Sequence, residues 1–557
     1  MIEVTDAVVR FGAGDDEVAA LDGASVSLVP GEVVALVGAN GSGKSTLARL
    51  LCAMTLADEG SVAVDGIDPA TGDRERREVR RRVGFVQQHP SDQLVSTLVA
   101  DEVAFGPRNL GLAPDEVSRR VARALDVVGL SHTGAHDTQA LSGGQQQLLA
   151  IAGILAMEPA YIVLDEATSM LDSCARPGMR ALVDHLAHDE GLGVIQVTHD
   201  PLEILVSDRV IVLDAGRVVF SGSPASFIGG HGALWDATVV EDPCARAVRA
   251  CIAAGLPEDV GVAPSDAVSW LLAAIGQARV PTASLESVLR ALMPRGWGQG
   301  ERLERADERL VLSRIDFAYD RDACVLRDVS LGVRGGEVVL LAGRSGSGKS
   351  TLACVAAGLY EARSGTVMLD GAPLRPGAVG IAFQRPEDQL FCESVRDEIA
   401  FAPRNLGASE TQVSASVRMA AELVGLEDDL LDRYPFDLSG GQARRVAIAS
   451  VLSLASGAYL FDEPTAGLDA DGRRSLHRVV RACAERGCAV VVISHDLEEW
   501  AAEVDRVVLM AAGAVVWEGT PADLSADADA FASAGMRPPL SFELAHRIRA
   551  ALGEVRA

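Results

Sequence analysis

Short apolar runs alternate along this chain with stretches whose apolar residues recur at helical spacing. Val33 to Val37, Tyr161 to Leu164, Val338 to Leu341 and Tyr459 to Phe461 are compact enough for buried strands. Between them, Val117, Val121, Leu125 and Val128 fall on one helical face behind a Pro114-Asp115-Glu116 start. Val413, Val417 and Val424 repeat that face later in the chain, where Ser409 and Gln412 are spaced as a capping box. The alternation predicts α/β architecture around a largely parallel sheet, with a helical insertion in each half. Uncharged runs such as Leu148 to Met157 are too short to cross a bilayer and read as buried helices leading into a core strand.

The pattern is also duplicated. DEVAFGPRNLG at Asp101 to Gly111 returns as DEIAFAPRNLG at Asp397 to Gly407, and LSGGQ at Leu141 returns at Leu438. GANGSGKST, Gly38 to Thr46, returns as GRSGSGKST, Gly343 to Thr351. The repeats lie 305 positions apart at the glycine loops and 296 or 297 apart downstream. The first half therefore carries extra residues near the basic run Arg74 to Arg82. The expected domains are 1–230 and 309–525, joined by a helical appendix and linker, 231–308, and followed by a helical tail, 526–557. Within the appendix, Ser265 is a candidate cap for a helix bearing Val268, Leu271, Leu272 and Ile275, and Ser284 to Leu292 is a second candidate. GWGQG at Gly296 to Gly300 and the charged run after it read as a flexible connection.

With 557 residues there is room for two domains with proper cores. A formal charge of −28 argues against nucleic acid as a partner. Nine scattered cysteines without a CxxC pair suggest neither a zinc site nor a disulfide framework. The N-terminus opens into a strand-like segment without a charged, apolar leader. The remaining surprise is lysine. Lys44 and Lys349 are the only two in the chain, one in each glycine loop.

The chemistry gathers there. A strand, a glycine-rich turn and a helix start converge backbone N–H groups and a positive dipole end on a phosphate. Gly38, Asn40, Gly41, Ser42, Gly43, Lys44, Ser45 and Thr46 form the first cradle, and Gly343, Ser345, Gly346, Ser347, Gly348, Lys349, Ser350 and Thr351 the second. The lysine supplies a compact charge for β/γ oxygens, and Ser45 and Ser350 supply hydroxyls for Mg²⁺. The chain is expected to bind nucleoside triphosphate twice. The runs ending at Asp165-Glu166 and Asp462-Glu463 deliver paired carboxylates at a strand's C-terminal edge. The first suits the Mg²⁺ shell, and the second suits a general base or water-orienting group. Ser142-Gly143-Gly144-Gln145 and Ser439-Gly440-Gly441-Gln442 open helices, from Gln145 and Gln442 onward, as further anion-binding ends. His199 and His495 end β-branched runs and suit a γ-phosphate contact.

In this order the motifs look like the ATP-binding cassette of ABC proteins, over roughly four-fifths of the chain. The resemblance implies two P-loop NTPase cassettes, α/β in class, each with a mostly parallel sheet core and a helical subdomain. It adds Gln88 and Gln384 as the Q-loop residues that reach Mg²⁺, Phe11 and Tyr319 as the rings that stack on adenine, and Asp172 and Asp469 as the D-loop acids. It implies head-to-tail pairing of the halves. Lys44, Ser45, Gln88, Asp165, Glu166 and His199 would then face Ser439 to Gln442, and Lys349, Ser350, Gln384, Asp462, Glu463 and His495 would face Ser142 to Gln145. ATP and Mg²⁺ are the implied cofactors.

FVQQHPSDQ at Phe85 and AFQRPEDQ at Ala382, each followed by the DE(V/I)AF-x-PRNLG stretch, resemble more narrowly the ATPases of energy-coupling factor transporters. That likeness implies an ATPase that energises vitamin or transition-metal uptake. It would sit peripherally at the cytoplasmic face of the membrane, against a membrane scaffold subunit and a membrane substrate-binding subunit. The tandem ATPase of a sugar importer, an exporter ATPase and a soluble tandem cassette are the alternatives. The copies differ in detail: the first has Leu148 where the family usually has arginine, and Ala167 to Met170 where the second has Pro464 to Gly467. Two competent sites are expected.

Overall fold

A computed structural model describes the chain except residues 13–16, 89, 169–170, 172–174, 240–241, 258–259, 278, 282, 293–307, 320–323, 376, 467 and 557. The linker motif Gly296 to Gly300 and the D-loop candidate Asp172 thus lie outside the described residues. Two compact units divide the chain. One comprises Met1–Glu241 with Ala245–Pro281, and the other Asp242–Cys244 with Thr282–Ala557.

In the first unit the central strand Val33–Val37 runs parallel to Gly193–Val197 on one side and Arg209–Asp214 on the other. The sheet continues through Tyr161–Asp165 to Val83–Val86 and ends in the antiparallel Arg217–Gly222. All five residues of Val33–Val37 are buried, as a strand covered on both faces requires. The second unit repeats the order with Val379–Ala382, Ala458–Asp462, Ala489–Ile493, Val338–Ala342, Arg506–Ala511 and Ala514–Gly519. In each sheet the acid-bearing strand and the histidine-bearing strand therefore finish at the same edge as the strand that feeds the glycine loop. That convergence builds the site.

Each unit also has an antiparallel sheet that the apolar pattern did not announce. Ile2–Phe11 pairs with Val18–Leu28 and Glu59–Val64. Glu308–Phe317 pairs with Leu326–Arg334 and Ser364–Leu369, with Ala372–Pro373 beyond. Register shifts interrupt both central strands, so buried positions do not keep a period of two and the strand signal is blurred.

The helical insertion is Val99–Asn109, Pro114–Val127 and Gly143–Leu155 in the first unit, and Val395–Asn405, Glu410–Val424 and Gly440–Leu452 in the second. Val117, Leu125 and Val128 are buried with Val99, Val103 and Leu149, which makes the expected face a real seam. Ser409 and Gln412 form the capping box their spacing implied. The extra residues of the first half fold as the helix Asp73–Arg82, anchored by Arg80 to the Ala53 carbonyl at 2.9 Å.

One cap is corrected. The helix Pro264–Gly276 begins after Ala263, with Pro264 at its first position, so Ser265 lies inside the first turn and caps nothing. Proline's fixed φ and missing N–H suit that position better than a serine one residue on. The second expected helix is Ala283–Leu292, and Leu540–Arg556 belongs to the same unit. No helix among the described residues is long and apolar enough to cross a membrane.

Candidate active sites

The phosphate cradle rests on glycine geometry. Gly43 and Gly348 precede their helices with φ of 103° and 102°, a left-handed conformation that a side chain would strain. A Cβ on Gly38 would come within 2.3 Å of the Leu213 carbonyl, and one on Gly343 within 2.4 Å of the Met510 carbonyl. The turn is thus pressed against a neighbouring strand. The helices start at Lys44 and Lys349 themselves, three residues earlier than the apolar pattern shows, because the loop's last glycine serves as cap.

Both lysines are buried in the loops they charge. Lys44 Nζ donates to the carbonyls of Gly38 at 2.7 Å and Ala39 at 2.9 Å. Lys349 Nζ donates to Gly343 at 2.7 Å and Arg344 at 3.0 Å. The hydroxyls of Ser42 and Ser347 are buried without a hydrogen-bond partner in the protein. A buried orphan donor costs about 1–3 kcal/mol, and a phosphate oxygen would satisfy it. The same orphan in both loops fits a phosphate ligand.

Behind each loop stands its acidic strand. Asp165 accepts a hydrogen bond from the Ser45 side chain, and Asp462 from Ser350. Burial pushes both carboxyls above their ordinary range, against the pull of the neighbouring lysine. A buried carboxylate beside a hydroxyl is a donor set suited to Mg²⁺, whose charge would offset the desolvation.

Glu166 and Glu463 follow at the strand ends, and both adopt the left-handed region, φ 48° and 45°. For glutamate this costs on the order of 1 kcal/mol, a strain that clusters at functional positions. It is held by Glu166 N–H donating to the Val197 carbonyl at 3.0 Å and Glu463 N–H to Ile493 at 2.8 Å. The conformation turns each carboxylate from the strand edge toward its histidine. His495 Nδ1 lies 2.8 Å from Glu463 Oε1, and its backbone N–H donates to the same oxygen at 3.1 Å. The opposite ring nitrogen, Nε2, is buried without a partner and points away from the carboxylate. His199 Nε2 lies 3.6 Å from Glu166 Oε1, and Gln88 Nε2 donates to Glu166 Oε2 at 2.8 Å. Gln88, Glu166 and His199 therefore meet in the first unit. In the second, the Gln384 side chain is exposed and its carbonyl accepts from Arg444.

The signature segments are real helix starts, two residues earlier than expected. Gly143–Leu155 and Gly440–Leu452 begin at the first glycine. Ser142 and Gln145, like Ser439 and Gln442, exchange capping-box hydrogen bonds between 3.0 and 3.4 Å. Gln145 and Gln442 are thus third-position cap partners, and the exposed glycines present free edges of the first turn. Asp469 caps Ala470–Glu485 by accepting from Gly472 N–H at 2.9 Å. Phe11 and Tyr319 are exposed. The Tyr319 hydroxyl lies 2.9 Å from Thr351 Oγ1, and its ring meets Phe317 and Tyr360 edge-on.

The ABC transporter family model matches residues 21–169 and 326–466, one stretch in each unit. The chain belongs to the ABC transporter family. It is similar to a putative ABC transporter ATP-binding protein of Bifidobacterium longum, 35% identical over 90% of this chain and 64% of that protein. A putative ABC transporter ATP-binding protein of Streptomyces coelicolor is 34% identical over 94% of both chains. A cobalt import ATP-binding protein, CbiO, of Syntrophus aciditrophicus is 50% identical over 40% of this chain and 79% of that protein. The two units are ABC cassettes of the ATPase kind.

Three features escaped the sequence. The strained glutamate backbone has no signature in residue type. Arg444 donates from its guanidinium to the carbonyls of Pro464, Ala466 and Gln384, partners that residue type does not reveal. Glu203 and Glu499 follow the histidines by four positions with buried side chains, and their residue type does not mark them. Only their spacing from a switch histidine in both halves could have flagged them.

Proposed function

We propose that this chain is the ATP-hydrolysing energy subunit of a membrane importer of the energy-coupling factor type, serving vitamin or transition-metal-ion uptake. The observation that carries the reading is an exposed apolar patch near the glutamine loop of each cassette. Phe391 and Phe401 meet edge-on at 4.8 Å, and Leu406 and Phe436 are exposed with them. Val395 N–H donates to the Arg433 carbonyl, so the segment bearing Phe436 runs beside that helix start. Val95, Phe105 and Leu110 are exposed at the matching place in the first unit. Patches of this kind mark protein or membrane contacts, and a membrane scaffold subunit is the partner proposed for them. The similarity to a cobalt import ATP-binding protein supports the same direction.

In this reading residues 1–230 and 309–525 are the two ATPase domains, paired head to tail so that each phosphate loop faces the other cassette's signature helix start. Lys44 and Lys349 hold the β/γ phosphates. Phe11 and Tyr319 take the base. Ser45 with Asp165 and Gln88, and Ser350 with Asp462 and Gln384, would hold Mg²⁺, which supplies charge neutralisation on the β/γ oxygens. Glu166 and Glu463 orient water and accept its proton. His199 and His495 hold those carboxylates and offer a ring nitrogen to the γ-phosphate. Asp469, with Asp172 as its counterpart, completes the shared edge. The protein acts peripherally at the cytoplasmic face of the membrane, where closure of the pair moves the scaffold and its substrate-binding partner.

The test is capture of the tagged chain from gently solubilised native membranes. A small multi-span scaffold with a small substrate-binding membrane protein is the expected company. Ribosomal proteins alone, or a sugar-importer permease, would overturn the assignment.

A further inference from the structure

Arg444 sits two residues past Gln442 on the second cassette's signature helix and is only 7% exposed. Its Nη1 donates to the Ala466 carbonyl at 2.7 Å, and its Nη2 to Pro464 at 2.9 Å and Gln384 at 3.2 Å. Ala466 and Pro464 follow the strained Glu463, and Gln384 is the glutamine-loop residue. One side chain therefore joins the signature helix, the glutamine loop and the segment carrying the water-orienting glutamate. Burial pushes the guanidinium's pKa down, and nearby Glu387 pulls it up. Arginine keeps its charge in such a site, and its planar fork can serve several carbonyls at once.

Among the described residues the first cassette lacks this tie. The motif places Gln147 where the second has Arg444, and Ser91 where the second has Glu387, so a cation and its anion are both replaced by neutral residues. Gln147 is 1% exposed, and neither its amide nitrogen nor its carbonyl oxygen has a hydrogen-bond partner. Gln88 is held instead through its side chain, by Glu166.

We propose that Arg444 is a positioning residue that sets the glutamine loop and the post-glutamate segment of the second cassette as one body, and that the first cassette works without such a tie. The geometric part needs no assignment of chemistry. The catalytic consequence rests on the roles given above to Gln384 and Glu463.

Two readouts on the full-length chain separate these parts. By hydrogen exchange, Arg444→Gln should speed exchange in segments 379–390 and 463–468 together at least tenfold. Segment 83–90 of the first cassette and the core strands should be unchanged, and Arg444→Lys should recover part of the protection. In a Glu166→Gln background, which leaves turnover to the second cassette, Arg444→Gln should lower kcat about ten- to hundredfold with the ATP KM within about twofold. Exchange that is unchanged in both segments, or raised equally in the core strands, would overturn the proposal. Loosened segments with unaltered kcat would overturn the catalytic roles and leave the tie standing.

Discussion

The buried glutamate four residues beyond each switch histidine is the sharpest contrast between the cassettes. Glu499 accepts from Thr465 Oγ1 at 2.8 Å and lies 3.1 Å from His477 Nε2 and 3.5 Å from Arg473. Burial alone would raise its pKa, but the Arg473 charge and the hydrogen bond with His477 outweigh it and hold the carboxyl below its ordinary value. Glu203 fills the same place in the first cassette, where Asp200 repels its charge and the Thr168 and Thr198 hydroxyls and Arg180 offset that only in part. Burial and that repulsion push it up to about 7. One cassette keeps the buried acid charged beside Arg473, and the other keeps it protonated. Arg444 against Gln147 is the same kind of difference, and so is the cluster Phe317, Tyr319 and Tyr360 against Val9, Phe11 and Thr55. After duplication the groups that would touch nucleotide stayed alike, while those behind them diverged.

The largest expected effect sharpens a second contrast, at the start of the central strands. Arg506 grips Glu337 bidentately at 2.7 and 3.1 Å, and Glu337 is 3% exposed. Arg209 grips Glu32 likewise at 2.7 and 3.0 Å, in a wetter setting. Glu337→Ala should cost about 3–5 kcal/mol in denaturant unfolding of the second cassette, since it removes the buried carboxylate from Arg506 and leaves that side chain to Glu518 and the Gly332 carbonyl. Glu32→Ala should cost clearly less in the first.

Lys349→Arg comes next. The loop carbonyls hold Lys349 by a single point charge, a geometry that arginine's planar fork does not reproduce. Affinity at that loop should fall roughly 100-fold, about 3 kcal/mol. Equilibrium dialysis should then count one tight ATP per chain in place of two. An unchanged count would mean that the spared lysines are not the phosphate ligands.

Glu203→Gln tests the proton. The folded chain keeps a proton on Glu203 up to about pH 7, whereas the unfolded chain releases it near 4.5. The unfolded state therefore binds fewer protons in that window, and the native chain loses stability as pH rises through it. The variant should match the parent at pH 5 and gain about 1–3 kcal/mol at pH 8, read from urea unfolding. Glu499→Gln should be destabilising at pH 8. Equal responses would erase the contrast.

The smallest effect concerns the base. Tyr319→Ala should weaken nucleotide binding at the second loop by about 1–2 kcal/mol, as loss of a stacking ring does. Tyr360→Ala should weaken it less, by removing the ring that supports Tyr319.

Much of this was visible beforehand because it depends on local chemistry. Glycine turns before Lys44 and Lys349, and carboxylates after apolar strands at Asp165 and Asp462, are written in residue type and spacing. The helix faces through Val117 and Val413 follow from period alone. The antiparallel sheets were not visible, because bulges in Ile2–Phe11 and Glu308–Phe317 break the alternation. Helix starts slipped where glycine or proline took the first position, at Gly143, Gly440 and Pro264. The role of Arg444 was invisible for another reason. Its partners are backbone carbonyls, whose positions no residue type records.

The most direct measurement is site-resolved ATP turnover in the full-length chain carrying Glu166→Gln, Glu463→Gln or both. Two complete sites with unequal support require each single variant to lose part of the turnover, at least 100-fold at its own site. Glu463→Gln should lose the larger share, and the double variant all of it. Turnover untouched by either single substitution would contradict the account.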